Sequence, residues 1–172
     1  MLIYIKNKDT LVVDEFKFKC CIGKSGLKKH KVEGDKSTPT GTYKIEKLYF
    51  RKKRVKKPLS NIKMKNIKPS MGWCNESKDK KYNTEIKIPN SAKHEKLFRR
   101  DNKYDYILVL DYNKKKIPFK GSAIFLHLTN NYKPTAGCIA INLKDFNILL
   151  KLINKNTKFI KFIHFYKNSN IN

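Results

Sequence analysis

Alternation of apolar and polar positions dominates the first third of the chain. Phe16, Phe18 and Cys20 alternate with Lys17 and Lys19, the period of a strand with one face buried. Residues 2–5 and 11–13 are short apolar runs beside Asn7, Lys8 and Asp9, a hairpin-turn composition. Residues 23–35 are polar and contain glycine, which predicts a loop, and residues 42–50 alternate again. Residues 51–71 read as a basic connection punctuated by Pro58 and Pro69. Two later runs, 104–112 and 122–128, are apolar almost throughout, as expected of central strands. Leu143, Phe146, Leu149, Leu150 and Ile153 follow helical spacing, so 142–153 is predicted as a helix capped by Asn142. Residues 91–99 read as a second, short helix with Ser91 as N-cap, and residues 159–165 as a final strand. Many strands with one clear and one short helix predict a mainly β domain, a sandwich or an open barrel. With no internal repeat and no break in composition, residues 1–172 are expected to form a single domain.

Composition narrows the class. The chain is 40% hydrophobic and 12% aromatic, enough to build a core at 172 residues without staples. No apolar run approaches the length of a membrane-spanning helix. The start, Met1-Leu-Ile-Tyr-Ile-Lys6, is too short for a signal-peptide core and lacks its basic flank. A formal charge of +26 points first to nucleic acid. Yet the arginines are only Arg51, Arg54, Arg99 and Arg100; the other basic residues are lysines scattered along a chain rich in Asn and Ile, as an AT-biased genome produces. Specific base readout leans on arginine forks. The charge is therefore read as compositional drift with an attraction to anionic polymers. No nucleic-acid partner is expected, and a basic nucleic-acid-binding module stands as the alternative of another class. Its main support is the dense run Arg51-Lys-Lys-Arg-Val-Lys-Lys57.

The four cysteines are Cys20, Cys21, Cys74 and Cys138. They form no C-x-x-C pair, and no histidines have zinc-ligand spacing, so neither metal nor cofactor is expected. Chemistry concentrates elsewhere. His127 closes the apolar run Ser122-Ala-Ile-Phe-Leu-His127, and Cys138 follows eleven positions later, behind the small-residue turn Pro134-Thr-Ala-Gly-Cys138. Either residue alone would read as ordinary core. Together they suggest a thiol nucleophile with an imidazole base. A small-residue turn also leaves room for a substrate carbonyl, and it makes the backbone N–H groups of Gly137 and Cys138 candidate oxyanion donors. Thr135 could orient the histidine or a substrate carboxylate, or simply shape the turn. Trp73, Tyr82 and Asn83 are candidates for the cleft wall and substrate binding. Asp105 and Asp111, beside a central strand, are candidates to steer His127. A papain-type peptidase is excluded by order, because such enzymes place the nucleophile well before the histidine.

These residues resemble the L,D-transpeptidase (YkuD-like) catalytic domain family of bacterial cell-wall enzymes, in a compact single-domain form. The segment from His127 to Thr135-Ala-Gly-Cys138 is similar to the family's His…Ser/Thr-x-Gly-Cys block. Gly34-Asp-Lys-Ser-Thr-Pro-Thr-Gly-Thr-Tyr43 looks like its Thr-Pro-x-Gly-x-aromatic strand, and Gly72-Trp-Cys-Asn75 and Tyr82-Asn83 add further pieces. The resemblance implies a β-sandwich of mixed sheets. It implies that Cys138 attacks a peptidoglycan stem-peptide amide with His127 as base, and that a cysteinyl thioester passes the acyl group to a second stem. Hydrolysis of the same thioester would instead make an L,D-carboxypeptidase. It also implies work in the periplasm or cell envelope, where anionic envelope polymers become the expected partners of the basic surface; no signal peptide is visible in the sequence, which leaves the cytoplasm open, and a monomer is expected. Two positions depart from many family members: Ala136 stands where a second histidine is common, and Ala140 where an arginine is.

Overall fold

A computed structural model of the chain describes residues 3–60, 62–153, 157 and 160–162. In chain order the strands are β1 (Ile3–Asn7), β2 (Thr10–Val13), β3 (Phe16–Cys21), β4 (Leu27–Lys28), β5 (Thr38–Pro39), β6 (Gly41–Tyr43), β7 (Ile45–Phe50) and β8 (Met64–Asn66). They continue as β9 (Met71–Cys74), β10 (Glu85–Lys87), β11 (His94–Lys96), β12 (Tyr106–Leu110), β13 (Phe125–Leu128), β14 (Ile139–Ile141) and β15 (Ile160–Phe162), with the helix α1 (Leu143–Leu152) between the last two. A large sheet runs in the order β6-β15-β1-β2-β3-β14-β13-β12-β7-β8; β10-β9-β11 form a second sheet, and β4 pairs with β5. The pairing is mixed: β13 and β14 are parallel, as are β7 and β8, while β12 is antiparallel to both β13 and β7. The fold is mainly β with mixed sheets, as expected.

The central strands are buried on both faces, which is why they read as unbroken apolar runs. Successive side chains alternate between two cores. Leu48, Tyr106, Leu108, Leu126, Leu128, Ile139 and Ile141 enter one, which α1 covers with Phe146, Leu149 and Leu150. Phe146 stacks on Tyr106 with ring centroids 5.3 Å apart. Tyr49, Ile107, Val109, Phe125 and Cys138 enter the other, which the second sheet covers with Met71 and Trp73. The predicted helix is present, and the Asn142 side chain accepts from the Asp145 N–H as an N-cap, a contact worth about 1 kcal/mol.

The short helix predicted over 91–99 is absent. Those residues carry β11, an edge strand on β9, with His94 opposite Cys74, Glu95 opposite Trp73 and Lys96 opposite Gly72. An open sheet edge and a pocket that buries Leu97 completely override the weak helical spacing. Residues 122–124 do not extend β13 as the apolar run predicts, because Ala123 sits at φ 53° and breaks the extended backbone. The connection 51–71 yields β8, and the loop 23–35 yields β4. Of the final strand predicted over 159–165, Ile160–Phe162 pairs in parallel with β1, and the remainder lies outside the described residues.

Candidate active site

His127 and Cys138 come together through sheet geometry. In the parallel pair β13–β14, Leu126 lies opposite Ile139 and His127 opposite Ala140, so Cys138 immediately precedes the paired segment beside Phe125. Phe125 and His127 share a face of β13, and Cys138 and Ala140 share the matching face of β14. Both side chains line one cleft of about 310 Å³, with Glu33, Glu95, Arg99, Lys103 and Tyr104 among its other walls.

The imidazole has a defined tautomer. His127 Nδ1 lies 2.9 Å from the Leu128 carbonyl oxygen, which can only accept, so Nδ1 carries the proton and Nε2 is left with its lone pair. Tyr104 meets the ring edge-on at 5.2 Å, and its hydroxyl donates to Glu95. Burial lowers the His127 pKa to about 4. The thiol moves the other way: burial, then the nearby Glu95 carboxylate, push Cys138 up to about 12, against opposing contributions from the Phe125 N–H and Lys31. The pair therefore rests as neutral thiol and neutral imidazole at pH 7, with the Cys138 Sγ donating to the Ala123 carbonyl at 3.1 Å.

A set of buried clamps shapes the turn that presents the sulfur. Gly137 has φ 142°, and a Cβ there would lie 2.9 Å from the Ser37 carbonyl oxygen, so only glycine fits. Thr135 Oγ1 donates to the Cys138 carbonyl at 2.6 Å and accepts from the Gly137 N–H at 3.1 Å. Thr38, fully buried in β5, accepts from the Gly23 N–H and donates to the Gly137 carbonyl, both at 2.8 Å. Lys31 runs under Gly121 toward Gly137 and ends in a 2.7 Å ion pair with Asp35. Burial raises the Asp35 carboxyl, but hydrogen bonds from Lys31 and the Val32 and Ser37 N–H groups outweigh it and hold it well below the usual range.

The family model for the L,D-transpeptidase catalytic domain (YkuD) matches residues 1–160. The chain belongs to that family. No individual curated protein matches it significantly. L,D-transpeptidase domains act on peptidoglycan stem peptides and are typically associated with the cell envelope. Among the described residues, no helix is long and apolar enough to cross a membrane.

Of the remaining predicted residues, Thr135 and Gly137 line this cleft of the L,D-transpeptidase domain and the others lie outside its lining. Thr135 shapes the turn. Trp73, Tyr82 and Asn83 are not on the cleft surface but brace its wall from behind, because their polar groups are consumed internally. Trp73 Nε1 and the Ala123 N–H both donate to Asn83 Oδ1 at 3.0 Å, which holds Ala123 in its positive-φ conformation beside the thiol. The Tyr82 hydroxyl donates to Glu33 and accepts from the Gly121 N–H. Gly137 N–H, expected as an oxyanion donor, already donates to Thr135. Asp105 faces Arg54, and Asp111 accepts from the Lys44 N–H, so neither steers His127. Sequence reasoning does not find the roles of Thr38, Lys31, Glu33 and Glu95. Thr38 lies inside the Thr-Pro block already noted; the others carry no local signal. Ala140 is fully buried, and the cations that line the cleft are Lys103, Lys133 and Arg99, the last paired with Asp101 at 2.7 Å.

The arginines of the basic run are structural staples. Arg51 stacks on Phe98 at 3.5 Å and donates to the Arg99 carbonyl; Arg54 donates to the carbonyls of Arg100 and Asp101. Arg51 is buried, whereas Arg54 stays exposed with its one carboxylate partner, Asp105, at 3.4 Å.

Proposed function

We propose that the protein cross-links peptidoglycan stem peptides through a thioester on Cys138, with His127 as the base. The observation that carries this reading is the shared face of β13 and β14, which puts the thiol and an imidazole with an unprotonated Nε2 in one cleft. The Cys138 sulfur attacks the donor amide carbonyl as its proton passes to His127 Nε2, and the Cys138 N–H is the proposed oxyanion donor. The imidazolium then returns the proton to the departing amine, leaving a thioester. The amine of a second stem gives up a proton to Nε2 as it attacks that thioester, and collapse releases the cross-linked product and the thiol. Because neither group is charged at rest, proton transfer accompanies attack and needs no preformed ion pair. Residues 1–172 act here as one catalytic unit, with the work done in the cell envelope.

The test is incubation of purified protein with a disaccharide-tetrapeptide and identification of products by mass. Dimers that vanish with Cys138→Ala support the proposal. Trimmed monomers without dimers would assign the same pair to carboxypeptidase activity, and full activity in Cys138→Ala would overturn it.

A further inference from the structure

Seven large apolar side chains are well exposed among the described residues, and three of them share one surface: Val32 at 50%, Ile117 at 38% and Phe119 at 53%. The Glu33 N–H donates to the Phe119 carbonyl at 2.7 Å, which fixes Val32 beside the loop that carries the other two. That loop is braced from inside. Asn113 accepts from the Ile117 N–H at 2.9 Å and donates to the carbonyls of Ile117 and Gly121 at 3.0 Å. Phe119 is held at φ 62°, a conformation bulky residues rarely adopt, with its ring turned out to water. The charge around these tips is mostly positive, although Asp35 accepts from the Val32 N–H and Lys114 pairs with Glu46 at 3.8 Å. Lys29, His30, Lys114, Lys115 and Lys120 line a hollow of about 390 Å³ walled by Tyr43 and Tyr112, and no carboxylate lines it. Lys116 adds a further exposed cation on the same loop.

We propose that this surface, the Val32–Ile117–Phe119 tip within its lysine ring, docks on an anionic lipid bilayer. A soluble polyanion would be satisfied by the lysines alone and would leave three apolar side chains in water. A bilayer with anionic headgroups satisfies both, placing phosphates against the ammonium groups and the apolar tips at the acyl boundary. The braced loop suits this role because its side chains are already presented and little ordering is needed on binding. It leads through Gly121 directly into Ser122 and Ala123 of the cleft wall.

With so basic a protein, adhesion to anionic vesicles alone decides little, so the experiment locates the contact. Phe119→Trp and, as control, Leu59→Trp would be mixed with phosphatidylcholine vesicles and with vesicles containing roughly one-third phosphatidylglycerol. Leu59 is fully exposed beside Lys56 and Lys57, on a different loop. The native Trp73 is buried and supplies a constant background, measured on wild type. The expected result for Phe119→Trp is a blue shift of the added emission, quenched by brominated acyl chains, on the anionic vesicles only. The added emission of Leu59→Trp should not change. Phe119→Ser should weaken sedimentation with anionic vesicles at least about tenfold, the loss expected when one buried aromatic ring is removed. Its affinity for double-stranded DNA, a polyanion without an apolar phase, and its urea midpoint should not change. The proposal is overturned if the indole at position 119 stays in water on anionic vesicles, or if the one at position 59 inserts instead. It is equally overturned if Phe119→Ser leaves vesicle binding intact or weakens DNA binding to the same extent.

Discussion

Acidification from pH 7 to about pH 4.5 should cost the folded protein about 2 kcal/mol through His127 alone. The imidazole is buried edge-on to Tyr104, with Lys103 and Arg99 adding repulsion to its charged form and Asp101 only partly offsetting them. Its folded pKa is about 4, against 6.5 for an unperturbed histidine. Above 6.5 neither state is protonated and stability is at its full value. As pH falls, the unfolded chain takes up the proton first, so stability drains away between 6.5 and 4 and levels off below that. Each pK unit corresponds to about 1.4 kcal/mol, so the whole shift sets a ceiling near ~3 kcal/mol, most of it spent by about pH 4.5. The assay is urea unfolding at both pH values for wild type and for His127→Asn. Asparagine keeps a donor for the Leu128 carbonyl but cannot titrate. Other carboxylates, Glu95 and Asp105 included, titrate alike in both proteins and cancel. The variant should lose about 2 kcal/mol less on acidification than wild type. Equal losses would refute the claim that His127 is held neutral by burial.

Thr38→Val keeps the shape of a fully buried side chain but strands the Gly23 N–H and the Gly137 carbonyl; urea unfolding should show a loss of about 2–4 kcal/mol, with slower alkylation of Cys138. Gly137→Ala forces a Cβ against the Ser37 carbonyl at a positive φ; a loss of at least about 2 kcal/mol and no measurable turnover are expected, read by urea unfolding and product mass. A carbapenem should form one adduct by intact-protein mass spectrometry, mapped to Cys138 by peptide digestion, because Cys20, Cys21 and Cys74 are buried away from the cleft.

How far the molecule can be read from its sequence depends on whether the signal is local. The β12 and β13 runs, the α1 spacing and its Asn142 cap are legible because neighbours along the chain carry them. The 91–99 segment misleads because its strand character comes from β9, a partner some twenty residues earlier that periodicity does not reveal. In the site, Cys138, His127 and the glycine before the sulfur stand out by residue type and order. Their support does not. Thr38, Lys31 and Asn83 act through contacts spanning tens of residues, and their side-chain chemistry is common in loops. Trp73 and Tyr82 suggest a cleft surface because aromatic residues suit a wall; which side of that wall they occupy depends on hydrogen bonds that only the fold defines.

The hydroxyl of Thr38 and the carbonyl of Gly137 are ninety-nine positions apart in the chain. A ribosome must therefore release almost the entire domain before the Cys138 turn can close. Contacts of such long range form late, after the entropy of a large loop has been overcome. Until then Cys138 is an ordinary thiol on an unfinished chain, with no imidazole placed to take its proton. Under the proposed mechanism, reactivity is in this way tied to completion of the fold, and a truncated or misassembled copy would carry Cys138 and His127 without the chemistry.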